Sequence, residues 1–346
     1  MSMQEQRNGI IDFWKFIAAI GVILVHIPLP GVYGKIGTAV GVCGVGFFYI
    51  ISGYACYGPD KNVMCSKIMK RFRRNGIITI IAVAVYFLFA FLVTKLYGNR
   101  QDLLLFKQYV MNPVTYLRMI LLGDFEFIYG SALWFMVALL YCYLIFYVIV
   151  RFELKKLVYV LTPIFLILRI VVDSYVNSYP VSWHISANVI IGALPMMLLG
   201  YVIADKKESL CKISNPVLII SCIVSAALMF LAVNFKAGKI DISQPFKILC
   251  GASIFVCGIK NSGRHILKPI EKLGREDSLY IYLCHFLIIV ILSELIYSFY
   301  YNEKVLSWLL PLLVIIVSII VARFLSIIVR ACGKCFAKAS REKEES

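Results

Sequence analysis

Two side chains in the first long apolar segment, Ile10 to Ile27, are of types that insert poorly into lipid: Lys15 near its start and His26 near its end. A charge at bilayer depth costs at least a few kcal/mol, so such a residue ordinarily faces a cavity, a partner or a substrate path. On a helix the eleven steps between them span roughly 16 Å and leave the two within roughly 20° of one stripe. One helix face would then carry a cation near one end and an imidazole near the other. Imidazole has an intrinsic pKa near neutrality and is the side chain most often used as a general base. Each residue also has a plain structural reading. Lys15 can snorkel or pair with Asp12 at i, i+3, and His26, just before Pro28, can cap the helix end.

Three further patterns could carry chemistry. Lys67, Lys70, Arg71, Arg73 and Arg74 form a basic run, with Arg71 and Arg74 at helical spacing. Such a run anchors topology in many membrane proteins; its guanidinium forks also match phosphate oxygens, which would make it a phosphate clamp. Gly37, Gly41, Gly44 and Gly46 lead into Phe47-Phe48-Tyr49-Ile50-Ile51-Ser52-Gly53-Tyr54, and Gly37-x-x-x-Gly41 is a spacing at which a second helix packs closely. Ser131-Ala132-Leu133-Trp134-Phe135 and Tyr280-Ile281-Tyr282-Leu283-Cys284-His285-Phe286 complete the set. Their default readings are an aromatic belt and a hydrogen-bonded core histidine.

The elements that must position these residues are membrane helices. A chain of 346 residues, 61% hydrophobic and 16% charged, with mean hydropathy +0.85, is excluded from the soluble globular class. Apolar runs near helical spanning length fall at roughly 10–27, 37–57, 76–97, 131–150, 157–172, 185–204, 216–235, 245–259, 279–300 and 306–330, the fifth and eighth being short. They are continuous rather than alternating, which argues against a β-barrel. The expected fold is an all-α polytopic bundle of about ten transmembrane helices.

Placing the N-terminus inside puts most of the 35 Lys and Arg in cytoplasmic loops, at Arg7, Lys61 to Arg74, 151–156, 206–212, 260–275 and 330–343. Both termini are therefore expected to be cytoplasmic. The exception, 95–118, is expected to lie along the membrane surface as an amphipathic helix. The net charge of +16 then reports topology and anionic lipid, and no nucleic-acid partner is assigned. One transmembrane domain, 1–330, and a short polar cytoplasmic tail, 331–346, account for the chain. No low-complexity run or repeat divides it, and no soluble module is visible beside the membrane segments.

The lead Met1–Gly9 is weakly basic, and Asp12 and Lys15 interrupt the first apolar segment with no A-x-A-like exit, so that helix is expected to stay in the mature protein. The eleven cysteines sit mostly singly inside helices, as small buried residues rather than a disulfide frame. Cys332 and Cys335 form a lone CxxC with no second pair nearby, and no metal site is assigned.

Taken in order, the patterns resemble the acyltransferase 3 family of integral membrane acyl-CoA-dependent acyltransferases. The resemblance rests on Ile11-Asp12-Phe13-Trp14-Lys15 followed by His26, on residues 47–54, on Arg71 and Arg74, on Leu133-Trp134-Phe135, and on Tyr282 and His285. Lys15 stands where many members have arginine, and lysine cannot make the bidentate contact. The resemblance implies transfer of an acyl group, commonly acetyl, from cytoplasmic acyl-CoA to a hydroxyl of an extracytoplasmic acceptor, often a sugar of a surface polysaccharide or glycolipid. It also implies a multi-pass protein of the cell membrane, bacterial by expectation. His26 is then the expected catalytic residue. Lys15, Arg71, Arg74, Ser52, Tyr54, Trp134 and His285 are the expected acyl-CoA-binding residues. No permanently bound cofactor is expected, acyl-CoA being the donor substrate.

A catalytic imidazole needs a group to fix its tautomer, and Asp12 lies about 21 Å along the helix from His26. Glu294 is the expected carboxylate, with Asp124, Glu126, Asp173, a water or a backbone carbonyl as alternatives. Arg169 and Arg323 read as cations snorkelling from helix ends. Tyr97, Tyr109, Tyr116, Tyr129, Tyr175, Tyr179 and Trp183 could stack on sugar rings, as belt aromatics also would. The competing class is a transporter or flippase, against which stands the absence of broken-helix pairs recurring in two halves. A third class is a membrane sensor.

Overall fold

Apolar runs of about 20 residues satisfy their backbone polar groups within one segment only by becoming helices. A computed structural model describes residues 8–234, 241–297 and 303–344, and these are helical nearly throughout, with no strand among them. In chain order the helices are α1 (Gly9–His26), α2 (Gly31–Tyr54), α3 (Lys61–Leu96), α4 (Arg100–Met111), α5 (Pro113–Leu122), α6 (Trp134–Arg151), α7 (Lys155–Ser178), α8 (Leu194–Asp205), α9 (Lys207–Leu210), α10 (Asn215–Asn234), α11 (Gln244–Lys260), α12 (Lys268–Glu276), α13 (Ser278–Tyr297) and α14 (Glu303–Glu344).

Eight of these are long and apolar enough to cross a membrane: α1, α2, α3, α6 with the turn before it, α7, α10, α13 and α14. The other two expected crossings are helical but shorter. Val189–Asp205 consists of a π-turn, Val189–Ala193, running into α8, and α11 has 17 residues. Segment 95–118 becomes α4 and the start of α5. Asn99 opens α4 with a capping box, and α4 buries none of its residues, as expected of a helix lying along a surface.

Three readings are corrected. The fifth apolar run is not short: α7 has 24 residues because Arg169 and Asp173, at i, i+4, face each other at 3.4 Å. Arg169 does not snorkel. It is buried, and its guanidinium donates to the Ile191 and Gly192 carbonyls, groups that the π-turn's altered ladder leaves available. Arg323 does not snorkel either, since it meets Glu276 at 2.6 Å and Asp277 at 3.3 Å, while Arg330 meets Glu276 at 2.7 Å. Burial would raise the Glu276 carboxyl, but bonds from Arg323 and Arg330 outweigh it and hold it down at about 2. The backbone of α14 also continues as helix to Glu344, through the expected tail; the side chains of the CxxC cysteines lie outside the described residues. Nine other cysteines are free thiols.

The chain forms two compact units, residues 1–41 with 262–346, and residues 42–261, the boundary falling inside α2. In the first, α1 packs against α12, α13 and α14. It also crosses the start of α2 closely, where a Cβ on Gly21 would come within 2.8 Å of Gly41 and one on Gly41 would overlap the Gly21 carbonyl. The partner of the Gly37-x-x-x-Gly41 face is thus α1. In the second unit α3 packs on α6, α7 on α8 and α10 on α11.

Candidate active site

In the first unit α1 presents Lys15 and His26. Asn8 starts the helix by accepting from the Ile11 N–H at 3.1 Å. Asp12 is buried and accepts from Lys15 Nζ at 2.8 Å, with an Arg275 nitrogen 3.8 Å from its other oxygen. The plain pairing at i, i+3 is therefore present, and the three groups together still carry one net positive charge.

His26 is exposed at the end of α1. Its ring centroid lies 5.4 Å from that of His285 and 5.1 Å from that of Phe286, both on α13. His285 is wholly buried, and its Nδ1 is 2.6 Å from the Tyr282 carbonyl oxygen. A carbonyl only accepts, so Nδ1 carries the proton and Nε2 a lone pair. That Nε2 is buried with no hydrogen-bond partner among the described residues. An unpartnered buried acceptor costs about 1–3 kcal/mol, which a purely structural core histidine would avoid.

Glu294 is exposed on α13, about 13 Å of helix rise beyond His285. The structure brings His26 to an imidazole and a phenyl ring rather than to this carboxylate. The alternative carboxylates belong to the second unit and are engaged there, Asp173 with Arg169 and Asp124 with Arg118 at 2.5 Å. Sequence reasoning placed His285 only through a motif. The contact with His26 depends on how two helices 260 residues apart in the chain pack, for which the sequence carries no local signal.

The second unit holds the remaining expected residues. Asp60 caps α3, accepting from the Asn62 and Val63 N–H groups at 2.9 Å. Beyond it Lys67, Lys70, Arg71, Arg73 and Arg74 make no ion pair among the described residues. Nearby cations are already paired: Lys61 meets Glu153 at 2.8 Å and Lys155 meets Asp205 at 2.6 Å. Asp205 is further occupied by the Tyr159 hydroxyl and by the Tyr57 hydroxyl at 2.7 Å; its bond and burial push Tyr57 up to about 12. Arg74 donates to the Asn75 side-chain oxygen Oδ1 at 3.4 Å, and Asn75 Nδ2 in turn donates to the Tyr143 hydroxyl at 3.4 Å. This stretch of α3 thus offers guanidinium groups with no paired carboxylate among the described residues.

Two of the sequence motifs meet in this unit. Tyr49 lies 4.4 Å, ring to ring, from Phe135 and 6.3 Å from Trp134, and its hydroxyl donates to the Phe135 carbonyl at 3.2 Å. Ser52 donates to its own helix at Phe48 O, 2.8 Å, and Tyr54 packs edge-on against Phe255 at 5.1 Å. A Cβ on Gly53 would overlap the Met197 carbonyl, so this glycine lets the end of α2 approach α8.

Comparison with known proteins gives one finding about the whole chain. The sequence model of the acyltransferase 3 family, described as an acyltransferase domain, matches residues 8–328. No curated protein and no solved structure matches.

Proposed function

The chain belongs to the acyltransferase 3 family, and from that premise we propose that it moves an acetyl group from cytoplasmic acetyl-CoA to a hydroxyl of an extracytoplasmic sugar, in a surface polysaccharide or glycolipid. The observation that carries this reading is the His26–His285 pair, an exposed imidazole set against a buried one whose Nε2 has no hydrogen-bond partner among the described residues. His26 takes the proton of the acceptor hydroxyl. The oxygen attacks the thioester carbon, the C–S bond breaks, and CoA leaves as the thiol once the proton reaches its sulfur. His285 is a positioning residue: its lone pair can accept an N–H from His26 and fix the tautomer in which the other His26 nitrogen is the base.

The donor end of the proposal rests on charge. CoA carries phosphates, and Arg71 and Arg74 are forks without carboxylate partners among the described residues, the arrangement that suits phosphate. Lys15, with Arg275 and Asp12, supplies a weaker net positive charge. Ser52, Tyr54 and Trp134 are proposed to line the path of the acyl-CoA arm, and Glu294 stays a proposal as the carboxylate serving His26. Both termini are proposed to be cytoplasmic, in a bacterial plasma membrane.

The test is acetyl-CoA-dependent CoA release by the purified protein in lipid, with cell-surface glycans as acceptor. Loss of His26 as a base should lower kcat by about 10²–10⁴-fold in His26→Ala. Arg71→Ala/Arg74→Ala should instead raise KM for acetyl-CoA. Unchanged turnover in folded His26→Ala would remove His26 as the base, and CoA release by no variant with any acyl-CoA tried would overturn the donor assignment.

A further inference from the structure

Apart from these residues, three side chains of metal-ligating type converge in the second unit. One ligand atom each from Asp124, Glu126 and His184 lies within 4.8 Å of the others. His184 Nε2 is 3.7 Å from an Asp124 oxygen and 4.0 Å from a Glu126 oxygen, separations too long for hydrogen bonds. That nitrogen is buried and has no hydrogen-bond partner among the described residues. The other ring nitrogen, Nδ1, sits 3.0 Å from Ser182 Oγ. The tautomer that donates Nδ1–H to Ser182 leaves a lone pair on Nε2, on the side of the two carboxylates.

Each carboxylate is also held by a neighbour. Arg118 binds the second oxygen of Asp124 at 2.5 Å, the Glu126 backbone N–H donates to the first at 3.3 Å, and the Trp183 indole N–H donates to Glu126 Oε1 at 3.1 Å. The backbone is fixed as well. Gly123, with φ of 67°, ends α5 in the left-handed region, and short 3-10 turns at Glu126–Ile128 and Trp183–Ile185 carry the other two ligands. Held tautomers and hydrogen-bonded carboxylates are what orient ligands around a metal ion.

We propose that Asp124, Glu126 and His184 form a site for a divalent cation of the Zn²⁺ class. Two carboxylates against one guanidinium leave a net negative charge beside the imidazole. One imidazole with carboxylates suits zinc or manganese, whereas Ca²⁺ and Mg²⁺ favour all-oxygen shells. Tetrahedral bonds of about 2.0–2.2 Å put ligand atoms roughly 3.4 Å apart, so the ligands, now up to 4.8 Å apart, would close by up to about 1 Å or slightly more, most of it by the half-exposed Glu126 side chain. The bound ion would tie the segment after α5 to the segment before the π-turn. Asp124 and Glu126 also line a cavity of about 300 Å³ with Tyr109, Thr115, Arg118 and Phe127, so a coordination position would remain for a ligand oxygen from that side. The proposal does not depend on the acyl-transfer reading.

The experiment uses the full chain in lipid nanodiscs, stripped with chelator, then titrated calorimetrically with Zn²⁺ and spectroscopically with Co²⁺. Wild type should bind one equivalent that is weakened at least about tenfold in His184→Ala and in Glu126→Gln, with a Co²⁺ spectrum lacking the charge-transfer band of thiolate ligation. Glu126 is exposed enough that Glu126→Gln should fold whatever becomes of His184→Ala. No binding by wild type, equal binding by wild type and Glu126→Gln, or a thiolate band showing that cysteines hold the ion would each overturn the site.

Discussion

At the scale of single residues, what matters is whether a polar group inside the bundle has a partner. His285 spends one nitrogen on the Tyr282 carbonyl and keeps the other unpaired beside His26. If that nitrogen orients His26, His285→Phe, which keeps a ring of similar size, should lower kcat for acyl transfer by about tenfold to hundredfold while KM for acetyl-CoA stays within about twofold. A residue that only fills space would leave kcat alone and shift the melting temperature instead. Glu276 shows the opposite condition, with two arginines on one carboxylate. Its folded-state pKa of about 2 lies below the ordinary 4.5, so its stabilisation is complete above about pH 4.5 and is lost as pH falls toward about 2. Thermal unfolding in detergent should therefore show Glu276→Gln less stable than wild type at neutral pH, with the gap narrowing through acid. A gap that stayed constant down to about pH 3 would mean the arginines do not depend on the Glu276 charge.

At the scale of elements, the position of the catalytic candidate depends on how closely α1 can approach α2. Gly21 and Gly41 bring the backbones together with no room for a Cβ on either. Gly41→Leu should separate the helices, cost about 1–3 kcal/mol as an overpacked contact, and lower transfer by displacing His26; a variant as stable and active as wild type would show that the crossing is not needed. The Gly37-x-x-x-Gly41 pattern was readable in the sequence, and so was its meaning, although not which helix would fill it. The extents of α1 and α10 were also readable to within a residue, that of α10 because no charged residue interrupts it. The length of α7 was hidden because Asp173 looks like an interruption until seen beside Arg169. The same blindness applied to His184: a histidine in a polar segment has no periodicity to mark it, and its carboxylate neighbours lie more than fifty residues earlier in the chain.

At the scale of the whole molecule, the apolar surface is what makes this a membrane protein. Ile77, Ile80 and Ile81 on α3 are 60%, 71% and 58% exposed, a pattern repeated on α7, α10 and α14 that water would not tolerate in so large a patch. The charged residues then carry the proposed direction. The basic run from Lys67 to Arg74, Lys155 and Lys156, and Lys206, Lys207 and Lys212 all fall near helix ends that the positive-inside bias assigns to the cytoplasm, and the proposed donor end requires it, because acetyl-CoA is a cytoplasmic thioester. Cys211 follows α9 among those lysines and is partly exposed, whereas Gln101 is exposed on α4, in the segment expected on the other side. In intact cells, a membrane-impermeant maleimide should label a variant whose only cysteine is at position 101, through Gln101→Cys, and should spare one whose only cysteine is Cys211 until the inner face is opened. Labelling in the reverse order would place Arg71 and Arg74 outside, away from any CoA, and the phosphate-clamp assignment would fail with the topology.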